Sequence, residues 1–285
     1  MKTTYRKKHI YTLLPLFLFL LSTGIYAQNN IDSNSSLTLK SDTLKSTLKD
    51  DFNTAFNTGC KIAVSPLHYD GHDWLIAGLG AAATGLTMLA DDDVRTMFKK
   101  NHSKLLDNIS EVGYRYGSGG YAFALSGALY LGGKIFNSES VSTTGRMLIE
   151  SLVFSGIAST VIKTVIGRSR PYTGAGPYKF SGFQIKTETT SFPSGHSTVA
   201  FALSSVLAER IDNVYASILL YTISASTVMQ RIYDDKHWAS DTVLGGLIGY
   251  FIGKAVVKYD QGENRISIGT YSSAESFGLS LHYSL

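Results

Sequence analysis

Six mostly uncharged, apolar stretches separated by short polar segments dominate the chain between residues 74 and 258. The first runs from Trp74 to Ala90 and stops at Asp91, Asp92 and Asp93, and the second, Tyr116 to Gly133, opens at a Gly-Ser-Gly-Gly turn. The third, Met147 to Ile166, carries Glu150 and Lys163 within helical periodicity and ends at Gly167 and Pro171, residue types that stop helices. Ser197 to Ala208, Asn213 to Gln230 and Thr242 to Lys258 complete the series, and all six read as helices. Between the first two lies a polar amphipathic stretch, Val94 to Val112, with Met97, Leu105, Leu106 and Ile109 on one expected face. The tail changes period: residues 265–271 and 277–285 alternate apolar with small or polar positions around Ser272 to Ser276, the pattern of a β-hairpin. The expected fold is therefore all-α, a bundle of about six core helices with a short C-terminal β-hairpin.

The amino terminus reads differently. Lys2, Arg6, Lys7 and Lys8 precede an apolar run from Leu13 to Leu21, and Gly24 to Ala27 offer a small residue for cleavage, so residues 1–27 read as a secretory signal peptide, with an uncleaved anchor helix as the rival. Residues 28–58 are rich in Ser, Thr, Asn, Asp and Lys and read as an exported polar linker with at most a weak helix. The chain carries 26 basic and 22 acidic residues, and the leader holds four of the former and none of the latter, so the remainder is balanced. Nucleic-acid binding gains no support from the charge. Cys60 is the only cysteine, which excludes an intramolecular disulfide and a thiolate zinc site and leaves it as a small buried apolar residue.

Crossing about 30 Å of hydrocarbon takes about 20 predominantly apolar residues. The first, second and fifth stretches come close, whereas the fourth and sixth have uncharged runs of only 12 residues. If residue 28 is exported, three crossings before Lys163 would also leave the polar chemistry of the chain in the cytoplasm. Both arguments favour a bundle on the periplasmic side, in contact with a membrane, over six simple crossings.

The candidate chemistry lies in three segments at the ends of these stretches. Lys163 and Arg170 are seven apart, two helical turns, and Gly167 between them lets the chain fold back so that both reach one anion. Arginine offers a planar fork and lysine a point charge to the same phosphate. Arg168 reads as solvated, and the bland alternative for the whole segment is an ordinary basic helix end. Pro193, Ser194, Gly195 and His196 precede the fourth helix, so Ser194 is a natural N-cap, and the positive helix end makes an anion site with His196 beside it. A mere capped helix start remains the alternative. His237 and Asp241 are four apart on one helical face, which lets the carboxylate fix the imidazole tautomer and keep the outward nitrogen nucleophilic, although such a pair can equally be a capping or core contact. Arg231 lies six residues earlier.

Together the segments resemble the type 2 phosphatidic acid phosphatase and haloperoxidase superfamily, whose pattern is K-x6-RP, then PSGH, then S-R-x5-H-x3-D. Lys163, Arg170 and Pro171 match the first motif, Pro193 to His196 the second, and Arg231, His237 and Asp241 the third, while Gln230 stands where the family usually has serine. The resemblance covers residues 70–258 and implies that His237 is the nucleophile forming a phosphohistidine, Asp241 its orienter and His196 the acid that protonates the leaving alcohol. It also implies that Lys163, Arg170, Arg231 and the Ser194 and Gly195 amides hold the phosphoryl oxygens, with no metal and no cofactor. Asp91, Asp92 and Asp93 read as a helix stop or surface charge. Asp234 and Asp235 would repel an anionic substrate unless Lys236 or Arg231 pairs with them, and Trp238 is placed to pack under a lipid or ring.

The expected organisation is a helical phosphatase domain over residues 59–258 and a hairpin tail over 259–285. The expected activity is an exported, metal-independent phosphomonoesterase or pyrophosphatase acting on a lipid: phosphatidic acid, phosphatidylglycerol phosphate, an isoprenyl pyrophosphate or a lipid A phosphate. A soluble nonspecific acid phosphatase, a vanadate-dependent haloperoxidase and a noncatalytic phosphate- or lipid-binding membrane protein are the alternatives.

Overall fold

The computed structural model describes residues 41–260, 266–272 and 277–283. The expected signal peptide over residues 1–27 lies outside the described residues, as does the linker up to residue 40. Nine α-helices occur among the described residues. In chain order they are α1 (Ser41–Val64), α2 (Gly71–Leu89), α3 (Asp91–Lys100), α4 (Lys104–Tyr116), α5 (Gly119–Ile135), α6 (Glu139–Ile166), α7 (Gly195–Ile211), α8 (Val214–Tyr233) and α9 (Ala239–Asp260). Two strands, β1 (Ile266–Ser272) and β2 (Phe277–Tyr283), pair antiparallel with Ile266 opposite Tyr283, and the turn expected between them lies outside the described residues.

Local chemistry starts these helices. Asp70 and Asp73 form a reciprocal capping box at α2, the Ser103 hydroxyl accepts from the Leu106 amide at 3.3 Å, and the Asn213 side chain accepts from the Tyr215 and Ala216 amides. The helix α6 ends at Gly167, whose φ of 62° is the left-handed conformation that glycine adopts without strain.

The helix α7 is the centre. It contacts α6, α8 and α9, and its low amphipathicity has a simple cause, because it is buried on most sides: Ser197, Thr198, Ala200, Ala202, Leu203, Ser204, Ser205 and Val206 all lie inside. Around it, Met147, Leu148 and Leu152 of α6, Leu220 of α8 and Val256 and Val257 of α9 complete the apolar core. Two buried hydroxyls are satisfied across the α7–α8 pair: the Ser204 hydroxyl donates to the Leu220 carbonyl at 3.0 Å and that of Ser224 to the Ala200 carbonyl at 3.1 Å. The helix α9 lies close to α7 through Gly245, Gly249 and Gly253, one turn apart each. A Cβ at Gly249 would stand 2.2 Å from the Thr198 carbonyl oxygen.

Several expectations are corrected. The stretch read as linker up to residue 58 is helical from Ser41, because its acids find cross-helix partners: Asp51 accepts from Tyr130 at 2.7 Å and pairs with Lys134 at 2.8 Å. The amphipathic stretch breaks into α3 and α4, and Met97 and Leu105 are exposed, while the buried face of α4 is Ser110 and Gly113, which passes against the backbone of Ser226 and Thr227. Cys60 is only half-buried. The sixth stretch reads as too short to span a bilayer, but α9 starts early, runs 22 residues, and is long and apolar enough to cross one. The helix α6 meets the same test, and α2 and α3 meet it together across a 57° bend. Val153, Ile157, Val161 and Val165 leave one apolar stripe of α6 exposed, and Trp74, Leu75, Leu79, Leu86 and Leu89 do so on α2.

The close approach of α9 to α7 gives a test of packing. Gly249→Ala is expected to destabilise the fold by about 1–3 kcal/mol. The control is Gly85→Ala in α2, where a Cβ meets nothing within 4 Å and stability should stay level or rise slightly. Thermal unfolding of both variants in detergent reads the difference, and a Gly249→Ala protein as stable as wild type would refute this packing account.

Candidate active site

Helix ends gather the three segments. The C-terminal ends of α6 and α8 bring Lys163 and Arg231, the N-terminal ends of α7 and α9 bring His196 and Asp241, and the connecting loops bring Arg170 and His237. The positive ends of α7 and α9 suit an anion.

His237 is 4% exposed. An Arg170 guanidinium nitrogen lies 3.3 Å from its Nε2, and since arginine only donates, Nε2 carries the lone pair and Nδ1 the proton. That proton points at the Asp241 carboxylate and the Ser191 hydroxyl, each at a long 3.4 Å. The expected tautomer is thus the one the surroundings select. Burial, above all, holds the His237 pKa below its usual range; Asp241 pulls the other way without winning, so the ring is neutral.

Asp241 is fully buried and its carboxylate is saturated. One oxygen accepts from Ser191 Oγ at 2.5 Å and the Trp238 amide at 2.9 Å, and the other from Arg168 at 2.6 Å. Arg168, expected in solvent, is 0% exposed, and Asp91, expected as a surface charge, is 1% exposed and pairs with it at 2.7 Å. Gly167 turns the chain inward just before Arg168, which motif spacing does not reveal. Asp91, Asp92 and Asp93 fill the first turn of α3, where carboxylates suit the helix dipole.

The expected phosphate ligands divide into occupied and open groups. Arg170 donates to the Thr187 carbonyl at 2.7 Å and the Lys236 carbonyl at 3.1 Å as well as facing His237. The Lys163 ammonium donates to the carbonyls of Thr190, Ser191 and Pro193, so it anchors the loop that carries Ser191. The Ser194 amide, assigned to an anion by the motif, instead donates to the Asp241 carbonyl at 2.8 Å, while the Ser194 hydroxyl caps α7. Arg231 is 6% exposed and its buried Nε has no partner, a cationic group left unsatisfied where the other cations converge. Burial brings its pKa down to about 10, which keeps it charged at neutral pH.

His196 rests on Tyr114, with ring centroids 5.8 Å apart, and lines a cavity of about 240 Å³ together with Lys163, Gly195, Gly117 and Gly156. Burial and the charges of Arg231, Arg170 and Lys163 push its pKa down to about 3. The structure thus brings Lys163, Arg170, His196, Arg231, His237 and Asp241 to one end of the bundle. The acids beside His237 are also accounted for. Asp235 pairs with Arg95 at 2.6 Å and Lys99 at 3.1 Å rather than with Lys236 or Arg231, and Asp234 accepts from Gln230, the residue at the serine position of the motif. Trp238 is buried, donating its indole N–H to the Ser169 carbonyl at 2.9 Å, so it packs inside rather than against a substrate.

Residues 145–265 match the family described as the PAP2 superfamily. Among curated relatives, a protein named lipid A 1-phosphatase from Porphyromonas gingivalis is 27% identical over 180 residues, 61% of this chain and 35% of that protein. One of the same name from Rhizobium etli is 32% identical over 111 residues, 38% of this chain and 47% of that protein. The chain thus spans less than half the length of these relatives. The crystal structure of a transmembrane PAP2-type phosphatidylglycerolphosphate phosphatase from Bacillus subtilis aligns with 67% of this chain and 96% of its own at a TM-score of 0.52 and 20% identity, which supports the helical-bundle fold.

The three cations around His196 make its proton depend on what binds beside it. Its pKa in the free protein, about 3, leaves it neutral at pH 7; a phosphate or vanadate that cancels those charges raises the pKa and draws a proton from solution. Calorimetry at pH 7 in buffers of different ionisation enthalpy should therefore show proton uptake on vanadate binding, smaller in His196→Gln. Equal uptake in both proteins would refute this coupling.

Proposed function

We propose that the chain is a membrane-associated phosphatase that hydrolyses a phosphomonoester or pyrophosphate borne by a lipid, through a phosphohistidine at His237, with its site on the periplasmic side. The observation that carries the reading is a neutral imidazole whose Nε2 lone pair faces Arg170 while Asp241 stands behind Nδ1.

In the first step Nε2 of His237 attacks phosphorus and the bond to the alcohol oxygen breaks. Arg170, Arg231 and Lys163 stabilise the charge on the phosphoryl oxygens, the dominant requirement in phosphoryl transfer. His196, protonated as the substrate anion arrives, gives its proton to the departing oxygen. In the second step His196 takes a proton from water, the water oxygen attacks phosphorus, and the P–N bond breaks to release phosphate and the neutral imidazole. The reading needs no metal.

A lipid substrate is supported by α6 and α9, each long and apolar enough for a bilayer, and by the exposed apolar stripes on α2 and α6. Among phosphorylated lipids, the names of the two curated relatives favour the 1-phosphate of lipid A over phosphatidic acid, phosphatidylglycerol phosphate and isoprenyl pyrophosphates.

A phosphate-release panel of soluble and lipid phosphates, run on wild type, His237→Ala and His196→Ala, tests this reading. Both substitutions should lower turnover by about 10³-fold or more for the nucleophile and about 10²- to 10⁴-fold for the acid, with lipid A phosphate the preferred substrate. Activity surviving in His237→Ala would overturn the assigned nucleophile, and preference for soluble esters would overturn the lipid.

A further inference from the structure

We infer that Asp91 and Arg168 are positioning residues for phosphoryl transfer: a buried Asp91–Arg168–Asp241 chain that aims the carboxylate at His237 and leaves it one net negative charge. This rests on the reading of His237 as nucleophile.

Geometry gives the first half of the argument. All the Arg168 nitrogens donate: Nη1 to Asp241 Oδ1 at 2.6 Å and Ser240 Oγ at 2.8 Å, Nη2 to Asp91 Oδ2 at 2.7 Å, and Nε and Nη2 to the Pro177 carbonyl at 2.8 and 2.6 Å. The guanidinium is further held among the rings of Phe180, Phe192 and Trp238, 5.4 to 5.8 Å from their centroids. With Oδ1 of Asp241 occupied from this side, its rotation is set, and Oδ2 is the oxygen left for Ser191, the Trp238 amide and His237. Asp91 also fixes the start of α9 itself, since its Oδ1 accepts from the Ser240 amide at 2.9 Å and its Oδ2 from the Ser240 hydroxyl at 2.6 Å. One carboxylate 150 residues upstream therefore holds both the arginine and the helix that carries Asp241.

Charge gives the second half. Arg168 alone would neutralise Asp241, and a neutral pair would offer little to the imidazolium that forms as Nε2 bonds to phosphorus. Two carboxylates on one guanidinium sum to a single negative charge, which the cationic phosphoimidazole cancels. The extra acid is therefore part of the device rather than a structural spare, and burial makes each charge count more than it would in water.

The test is Asp91→Asn, which keeps shape and removes the charge, with Ser240→Ala as a milder second variant. Steady-state kinetics on the enzyme's phosphate ester should show kcat lowered about tenfold or more in Asp91→Asn and about three- to tenfold in Ser240→Ala, with KM within about twofold of wild type, since the phosphate-binding cations stand on the other side of the ring. An unchanged kcat in folded Asp91→Asn or, should that variant not fold, in Ser240→Ala, or a loss carried by KM alone, overturns the inference. His237→Ala, assayed in parallel, keeps the two claims apart: if it is inactive while Asp91→Asn is normal, only the positioning role fails, and if it is active the underlying reading fails.

Discussion

The structure depends on one buried carboxylate. Asp241 has no exposure to solvent, and an isolated charge there would be too costly to keep ionised. Four kinds of donor meet it: a guanidinium, a serine hydroxyl, a backbone amide and an imidazole N–H. Each of these donors favours the charged form. Satisfying it also places everything else. Arg168 ties the loop after α6 to α9, Ser191 ties the loop before α7, and the Asp241 carbonyl takes the Ser194 amide, so the groups that converge on the site are assembled by the act of burying one anion.

Opposite that anion lies a surplus of positive charge. Lys163 is committed to three carbonyls and Arg170 to two, but Arg231 keeps a buried, unpartnered Nε, and His196 is held neutral beside them. The site is thus polarised across the His237 ring, negative behind Nδ1 and positive before Nε2. On the proposed mechanism, an anionic phosphorus centre approaching Nε2 would meet stabilising charge on its oxygens, and the charge developing on the imidazole would be balanced from behind.

Much of this was legible in the sequence, for local reasons. The cap at Ser194 and the breaker at Gly167 act within a helical turn and appear where spacing put them, whereas His237 meets Asp241 from the loop before α9 rather than from a shared helical face. The six helices were legible because their apolar runs are long. Arg168 and Asp91 were not, because their partners are 77 residues apart in the chain and nothing in an Asp triplet or a Gly-Arg-Ser-Arg run marks one charge for burial. Trp238 is illegible in the same way, since an aromatic beside a candidate site histidine looks like a substrate platform until its indole N–H is found bonded inside. The full length of α9 is not legible from charge boundaries, because Asp241 is ion-paired with Arg168 inside the protein and the helix runs on past it.

The central claim is a covalent bond between phosphorus and one imidazole. Wild-type protein mixed with a ³²P-labelled phosphate monoester and quenched in alkali within the first turnover should carry acid-labile, base-stable label that peptide mapping assigns to His237. Label on any other residue, or product accumulating with none at position 237, would contradict the account.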